Sequence, residues 1–314
     1  MRIAVLDDYQ GVALTMADWS RVQAVAEVEV FRDHLGDLDA LAERLAPFDV
    51  LVLMRERTPL PAQLSERLPQ LRLVVTTGRR NASIDVEALR ARGVPVCSTE
   101  SVATSTPELT WALILGLSRH LVSSVTDVRQ GRWQTTIGSD LAGRTLGIVG
   151  LGRIGAKVAR VGTAFGMDVL GWGRHLTAGR AAESGATAAP LDEVLRSADI
   201  VTIHVVLSAE TRGLVGAREL ALMKPGSLLV NTSRGPVVDT PALVAALESG
   251  HLGGAAVDVF DSEPLPADHP LRSTPRLLAT PHIGYVTENG YRVFYGQSVE
   301  NIEAFLRGAP IRVI

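Results

Sequence analysis

Residues 146–155 read LGIVGLGRIG, an apolar run that passes directly into three glycines with the spacing G-x-G-x-x-G. The apolar run predicts a buried strand, and the residues that follow, as far as Phe165, carry a helical pattern. Between a strand and a helix, the first glycine permits a tight turn, the second lets a phosphate approach the backbone, and the third lets the helix pack closely. The helix start would present N–H groups to an anion. These features predict a dinucleotide-binding turn made of Gly150, Gly152, Arg153, Ile154 and Gly155.

The end of the next predicted strand, 168–172, lacks the acidic residue that usually completes this fingerprint. Gly173, Arg174 and His175 follow the strand, and no carboxylate appears before Glu183. A carboxylate there would accept hydrogen bonds from the ribose hydroxyls of NAD and repel a 2′-phosphate, whereas an arginine could bind that phosphate. We therefore expect NADP to be preferred over NAD. The alternative is that Arg174 points to solvent and both cofactors bind through their shared parts.

Strand and helix patterns alternate along the chain in two series. Strands are expected at 2–6, 28–31, 49–54, 71–76 and 94–98, then at 146–149, 168–172, 200–205, 227–232, 255–260 and 276–279. Helices are expected at 37–45, 84–92, 107–122, 154–165, 241–249 and 288–307. Such alternation is typical of parallel sheets covered by helices on both faces. The sequence thus predicts an α/β fold with two doubly wound parallel-sheet domains.

Composition excludes several classes of protein. A chain of 314 residues with a net charge of −3 lacks the basic surface that nucleic-acid or anionic-membrane binding needs. The N-terminal apolar run is too short for a signal peptide, and no stretch is long enough to span a membrane. The single cysteine, Cys97, excludes an intrachain disulfide framework, and no metal site is expected. We therefore expect a cytoplasmic protein with no nucleic-acid or membrane partner.

Three later strand patterns end in polar side chains, and ligands of doubly wound sheets bind beyond such carboxyl ends. Arg234, Glu263 and His282 follow the strands predicted at 227–232, 255–260 and 276–279. Together they would suit a 2-oxo acid, because an arginine can bind its carboxylate and a histidine held by a carboxylate can donate a proton. Separately, each could be a surface arginine, a turn residue or a structural histidine. Lysine stands only at positions 157 and 224, so a lone arginine is weak evidence for an anion site.

Four segments resemble, in order and spacing, the signatures of the D-isomer-specific 2-hydroxyacid dehydrogenases. They are GLGRIG at 150–155, NTSRG at 231–235, DVFDSEP at 258–264 and PHIG at 281–284. The resemblance implies a Rossmann-type cofactor domain, residues 102–284, inserted in a flavodoxin-like substrate domain made of 1–101 and 285–314. It also implies NAD(P)-dependent interconversion of 2-oxo acids and D-2-hydroxy acids, and a homodimer.

The resemblance also implies roles for single residues. Arg234 would bind the substrate, His282 would act as acid and base, and Glu263 would be the partner of the histidine. Asp258 would lie near the nicotinamide. The cofactor cleft would further include Thr232, Gly284 and His204.

The sequence departs from the family pattern where the substrate carboxylate is expected to bind. The family commonly has small residues around Gly-Val-Gly there, and this chain has Gly78, Arg79, Arg80 and Asn81. Arg55 follows the third predicted strand of the same domain, where the family also borders the substrate. These arginines indicate either an anionic or dicarboxylate substrate or solvated side chains in an arginine-rich chain. Arg55, Gly78, Arg79 and Arg80 are therefore candidate substrate-binding residues.

Two other functions compete with the reduction of a 2-oxo acid. A non-catalytic, dinucleotide-sensing scaffold on the same fold would keep the same residues, and only turnover separates it from an enzyme. A formate- or phosphonate-type dehydrogenase is disfavoured, because we expect such proteins to have an extra N-terminal segment and this sequence shows almost none of it.

Overall fold

The computed structural model describes all residues from 1 to 314 and divides them into two compact units. One unit comprises Met1–Val102 and Val286–Ile314, and the other comprises Ala103–Tyr285. Each unit contains one sheet in which all strand pairs are parallel, so the predicted fold class is confirmed. None of the helices combines the length and the apolar character needed to cross a membrane.

The first unit has a five-stranded sheet in the order β2-β1-β3-β4-β5, which is the flavodoxin-like arrangement. Its strands are β1 (Arg2–Val5), β2 (Glu27–Val30), β3 (Val50–Leu53), β4 (Leu73–Thr76) and β5 (Val96–Ser98). Its helices are α1 (Ser20–Gln23), α2 (Leu38–Leu45), α3 (Ala62–Ser65), α4 (Val86–Ala91) and, from the C-terminal segment, α12 (Glu288–Leu306). Every residue of β3 and β4 is buried, as expected for central strands covered on both faces.

The second unit has a seven-stranded sheet in the order β12-β11-β10-β9-β6-β7-β8. Its strands are β6 (Thr145–Val149), β7 (Asp168–Trp172), β8 (Thr187–Ala188), β9 (Ile200–Ile203), β10 (Leu228–Asn231), β11 (Gly254–Val257) and β12 (Leu277–Ala279). Its α-helices are α5 (Ser105–Ser118), α6 (Leu121–Arg129), α7 (Arg153–Ala164), α8 (Ala178–Ala182), α9 (Leu191–Ser197), α10 (Ala217–Leu222) and α11 (Thr240–Glu248). Short 3-10 helices cover Gly235–Val237 and Pro270–Arg272. The strand order reverses between β6 and β9, and Rossmann-type sheets bind ligands at such a switch point.

Two hydrophobic layers cover the opposite faces of this second sheet. Neighbouring residues of one strand belong to different layers, as Ile148 and Val149 do in β6 and Leu229 and Val230 do in β10. The alternation arises because successive side chains of a strand point to opposite faces. The layers reach the last residues of β6, β9 and β11, namely Val149, Ile203 and Val257, so polar side chains can project only from the segments that follow these strands.

The helix predicted at 107–122 is wrong at its C-terminal end. The first helix ends at Ser118, His120 adopts a left-handed backbone with φ of 49°, and a second helix begins at Leu121. Neither glycine nor proline marks this break, so the apolar pattern ran across it. The apolar residues of α6 lie largely on the surface instead, with Leu121 56% exposed. The two-residue strand β8 was also missed.

Candidate active site

The glycine turn of the second unit connects β6 to α7. Gly150 has a φ of 103°, and a Cβ placed on it would lie 2.7 Å from the carbonyl carbon of His204. A Cβ on Gly155 would lie 2.5 Å from the carbonyl oxygen of Gly150. In contrast, a Cβ on Gly152 would meet nothing within 4 Å, and no side chain caps the start of α7. The turn therefore leaves the helix N-terminus open to an anion, as a dinucleotide pyrophosphate requires.

The residues after β7 lie beside this turn. A Cβ on Gly173 would lie 3.9 Å from the backbone nitrogen of Leu151, within the turn. Arg174 pairs with Glu210, with 2.9 Å between Nη2 and Oε2, and both side chains are more than half exposed. His175 is exposed. The sequence missed Glu210, which lies 36 positions from its partner.

His204 lies just beyond β9, on the other side of the turn. Its backbone N–H donates to the carbonyl oxygen of Val149 at 2.7 Å. Its Nε2 lies 3.0 Å from the hydroxyl of Thr202. Burial lowers the pKa of His204 to about 3, so its imidazole is neutral near physiological pH. A neutral ring fits a role in lining a cleft better than a role in proton transfer.

The segment after β10 holds Arg234 in place through its neighbours. The side chain of Asn231 donates to the carbonyl oxygen of Arg234 at 2.9 Å and accepts from the N–H of Ser233 at 3.0 Å. A Cβ on Gly235 would lie 2.1 Å from the carbonyl carbon of Phe260, so only glycine fits there. Nη1 of Arg234 donates to the carbonyl oxygen of Ser233 at 2.7 Å. Arg234 is partly buried at the carboxyl end of the sheet.

His282 and Glu263 form a close pair. Nδ1 of His282 lies 2.6 Å from Oε2 of Glu263, and the other carboxylate oxygen accepts from the backbone N–H of Phe260 at 2.9 Å. A carboxylate has no proton to give, so Nδ1 must be the donor. Nε2 has no hydrogen-bond partner within the chain. The ring is therefore oriented at one nitrogen and available for proton transfer at the other.

Asp258 fixes the segment that carries His282. Its Oδ1 accepts from the hydroxyl of Thr280 at 2.6 Å and from the N–H of Ile283 at 2.8 Å, and its Oδ2 accepts from the N–H of Gly284 at 2.8 Å. Burial raises the pKa of Asp258, although these hydrogen bonds and the charge of His282 act in the opposite direction. Both oxygens thus face the histidine segment. The sequence placed Asp258 in the site without indicating this contact.

Two threonines of α5 connect the Arg234 and His282 segments. The hydroxyl of Thr110 donates to the carbonyl oxygen of Thr106 at 2.8 Å and lies 2.9 Å from the hydroxyl of Thr232. Thr110 has one hydroxyl proton, so Thr232 must be the donor in the second contact. The hydroxyl of Thr106 donates to the carbonyl oxygen of Gly284 at 3.0 Å. The sequence pattern of an apolar helix gave no signal for this connection.

The first unit contains the other predicted residues. Arg55 has a left-handed backbone with φ of 55°, and a Cβ on Gly78 would lie 1.7 Å from its Nη1. The guanidinium of Arg55 therefore lies directly over the Gly78 backbone. Arg79 pairs with Glu100, with 2.6 Å between Nε and Oε2, so its charge is already compensated. Arg80 is exposed and has no partner within the chain.

Comparison with known proteins identifies the family. Residues 111–284 match the model described as "D-isomer specific 2-hydroxyacid dehydrogenase, NAD binding domain". The chain belongs to the D-isomer-specific 2-hydroxyacid dehydrogenases. The resemblance drawn from the four sequence segments is thereby confirmed, and the second unit of this dehydrogenase contains the region that matches the NAD-binding domain.

Similar dehydrogenases come from several organisms. The chain is 38% identical to the D-3-phosphoglycerate dehydrogenase of Bacillus subtilis (strain 168) over 287 residues, which are 90% of this chain and 54% of that protein. The chain thus spans about half the length of that relative. It is 39% identical to the glyoxylate reductase of Aeropyrum pernix over 281 residues, 83% of this chain and 84% of the relative. The crystal structure of a phosphoglycerate oxidoreductase from Vibrio cholerae matches with a TM-score of 0.93 and 41% identity, covering 98% of this chain and 100% of that one.

Proposed function

We propose that this protein interconverts 2-oxo acids and D-2-hydroxy acids with a nicotinamide dinucleotide. The observation that carries the proposal is the pairing of His282 with Glu263 at 2.6 Å, which leaves Nε2 of the histidine open. Reduction of a carbonyl group needs a proton for the developing alkoxide, and an oriented histidine can supply it. The pair lies in the same unit as the glycine turn.

The second unit acts as the cofactor domain. The open N-terminus of α7 and the turn residues Gly150–Gly155 bind the pyrophosphate, and His204, Thr232 and Gly284 line the cleft around them. A bound nicotinamide dinucleotide supplies the hydride in reduction and accepts it in oxidation. Asp258 keeps the histidine segment in place beside the nicotinamide end.

Arg234 and His282 act on the substrate. The planar guanidinium of Arg234 binds the 2-oxo acid through two parallel hydrogen bonds, to carboxylate and carbonyl oxygens. In reduction, Nε2 of His282 gives its proton to the carbonyl oxygen, which becomes the hydroxyl group. In oxidation the same nitrogen takes that proton back, and Glu263 stabilises the charged ring in both directions.

The first unit acts as the substrate domain and favours a substrate with a second anionic group. The cation of Arg80 is exposed and uncompensated, and the guanidinium of Arg55 covers Gly78. Arg79 contributes less, because Glu100 already compensates its charge. Relatives named D-3-phosphoglycerate dehydrogenase support an anionic substrate, whereas those named glyoxylate reductase support a small one.

The adenosine end of the cofactor site favours NADPH over NADH. Gly173 leaves no carboxylate to repel a 2′-phosphate, and Arg174 follows it directly. The ion pair of Arg174 with Glu210 is exposed to solvent and therefore weak, so a phosphate group can replace the carboxylate. A charge-assisted hydrogen bond from an arginine to a phosphate corresponds to a preference of about tenfold or more.

A panel of 2-oxo acids assayed with NADH and with NADPH tests the function. The panel contains glyoxylate, pyruvate and hydroxypyruvate, together with oxaloacetate and phosphooxypyruvate, which carry a second anionic group. We expect turnover, with the highest kcat/KM for an anionic member and for NADPH, and D stereochemistry in the product. Dinucleotide binding without turnover on any member would instead favour the sensing scaffold.

The protein forms a homodimer through an exposed apolar surface of the second unit. This α6 surface consists of Leu121, Val122, Val125, Val128, Trp133 and Ile137. Trp133 is 76% exposed and Ile137 is 93% exposed. Large exposed apolar patches commonly mark protein interfaces, and the family resemblance implies a second copy of the chain as the partner.

A further inference from the structure

The ion pair of Arg174 and Glu210 joins the two segments that flank the glycine turn. Arg174 follows β7 and Glu210 lies beyond β9, and these strands stand on either side of β6 in the sheet. Both segments touch the turn: Gly150 packs against the backbone of His204 and Val205, and Gly173 approaches Leu151. The pair therefore lies at the rim of the proposed dinucleotide site.

The position of Glu210 is set by a turn of its own segment. The hydroxyl of Thr211 accepts from the N–H of Ser208 at 2.8 Å and donates to the carbonyl oxygen of Val206 at 2.6 Å. The hydroxyl of Ser208 donates to Oε2 of Glu210 at 3.2 Å, the same oxygen that accepts from Arg174. The hydrogen bond from Arg174 is the main cause that lowers the pKa of Glu210. The carboxylate is therefore ionised at neutral pH and directed at the guanidinium.

We propose that Glu210 is a specificity-determining residue for the cofactor, because its carboxylate competes with the 2′-phosphate of NADPH for Arg174. The inference rests on the proposed dinucleotide site. A carboxylate and a phosphate cannot both approach one guanidinium without repelling each other. NADH has only neutral hydroxyls on that ribose, so the competition leaves its binding unchanged. Glu210 thus reduces the NADPH preference that Arg174 alone would produce.

Binding measurements test the competition without turnover. Dissociation constants for NADPH, NADH, 2′,5′-ADP and 5′-AMP are measured by calorimetry for the wild type, Glu210→Gln, Arg174→Ala and the double variant. In Glu210→Gln we expect NADPH and 2′,5′-ADP to bind about three- to tenfold more tightly, and NADH and 5′-AMP to bind as in the wild type. In the Arg174→Ala background the same substitution should change NADPH binding less than about twofold, because the residue for which the groups compete is gone.

Glu248→Gln is the matched control. Glu248 is an exposed residue at the C-terminal end of α11, which follows β10, so it lies toward the opposite edge of the same sheet. Removal of this carboxylate changes net charge equally and should leave all four dissociation constants unchanged.

Three outcomes would overturn the inference. In the first, Glu210→Gln binds NADPH as the wild type does, and the protein uses both cofactors in turnover. This result would refute the competition and leave the proposed function intact. Weaker NADH binding in that variant would show instead that Glu210 holds the ribose hydroxyls. A folded wild type that binds neither dinucleotide would refute the proposed function together with the inference.

Discussion

At the scale of single residues, the proposed chemistry depends on a histidine in an unfavourable backbone conformation. His282 has a φ of 53°, a left-handed value that few residues other than glycine adopt. The three hydrogen bonds that Asp258 accepts from Thr280, Ile283 and Gly284 enclose this residue and hold it there. Such strain persists where the surroundings fix it, and it is frequent at active sites.

Replacing His282 with alanine should lower kcat for reduction of the best 2-oxo acid by about a hundredfold or more, which is the usual contribution of a general acid. The dissociation constant of the dinucleotide should stay unchanged, because the substitution leaves the glycine turn intact. Steady-state kinetics and calorimetry on one preparation measure both quantities. Wild-type turnover in this variant would refute the assignment.

Glu263→Gln should lower kcat for reduction, but by less than His282→Ala does. The amide keeps the size of the side chain but not the charge that orients the ring of His282 through Nδ1. Steady-state kinetics measure kcat, and calorimetry should show unchanged dinucleotide affinity. A kcat equal to that of the wild type would count against a functional pair.

Arg234→Lys keeps the positive charge and removes the fork of parallel donors. We expect kcat/KM for the 2-oxo acid to fall by more than about tenfold, with little change in dinucleotide affinity. Arg218→Lys, which changes an exposed arginine paired with Asp192, serves as the control and should behave as the wild type. If dinucleotide binding weakens while substrate saturation stays normal, Arg234 belongs to the cofactor site instead.

At the scale of elements, the close approach of α7 to the glycine turn gives a test in which the sign of the effect is informative. Helix propensity alone favours alanine over glycine by about 1 kcal/mol. At Gly155 an added Cβ would meet the carbonyl oxygen of Gly150 at 2.5 Å, and a backbone atom cannot move aside easily. Gly155→Ala should therefore weaken dinucleotide binding at least about tenfold and lower the melting temperature.

Gly296 in α12 provides the matched control for that substitution. A Cβ there would meet nothing within 4 Å, so Gly296→Ala should raise the melting temperature and leave binding unchanged. Calorimetry measures the melting temperature of both variants, and titration with the dinucleotide measures its dissociation constant in each. A stabilised Gly155→Ala protein with normal affinity would show that the helix does not need the glycine there.

The sequence predicted the strands that helices cover on both faces, because such strands have a recognisable pattern of apolar residues. Central strands such as β3 and β6 are continuous apolar runs because both faces are buried, so their positions could be predicted to within about two residues. The break at His120 was missed, because the polar residues Ser118, Arg119 and His120 fit the exposed face of a continuous helix as well as a break, and neither glycine nor proline stands among them. The strand β8 is too short to show any period.

The sequence indicated candidate site residues but not the contacts between them. Arg234, Glu263 and His282 were chosen from strand ends, because parallel strands place their carboxyl ends at one edge, and their roles remain proposals. The pairing of Arg174 with Glu210 and that of Thr110 with Thr232 join residues 36 and 122 positions apart. Such pairs depend on how loops and helices approach in space, and no local pattern encodes them.

At the scale of the whole molecule, six of the large exposed apolar side chains belong to the α6 surface, between Leu121 and Ile137. The segment that carries Trp133 and Ile137 is held against α6 by buried Asp127, which accepts from Nε of Arg132 at 2.9 Å and from the hydroxyl of Thr135. The backbone N–H of Ser139 donates to the carbonyl oxygen of Ser118 at 2.7 Å and fixes the end of the segment. An exposed apolar surface ordered by buried polar contacts is typical of an interface formed in advance of binding.

A charge on this surface should separate the proposed dimer. Val125 and Ile137 are 43% and 93% exposed, so Val125→Asp and Ile137→Asp should fold normally and bury a charge only if a second copy covers them. By light scattering after gel filtration, the wild type should have about twice the 33.5 kDa mass of one chain, and the variants should approach the single mass. Val25→Asp is the control, since Val25 is 62% exposed in the other unit and should leave the mass unchanged. A wild type of single mass, or variants that keep the double mass, would show that this surface does not form the dimer.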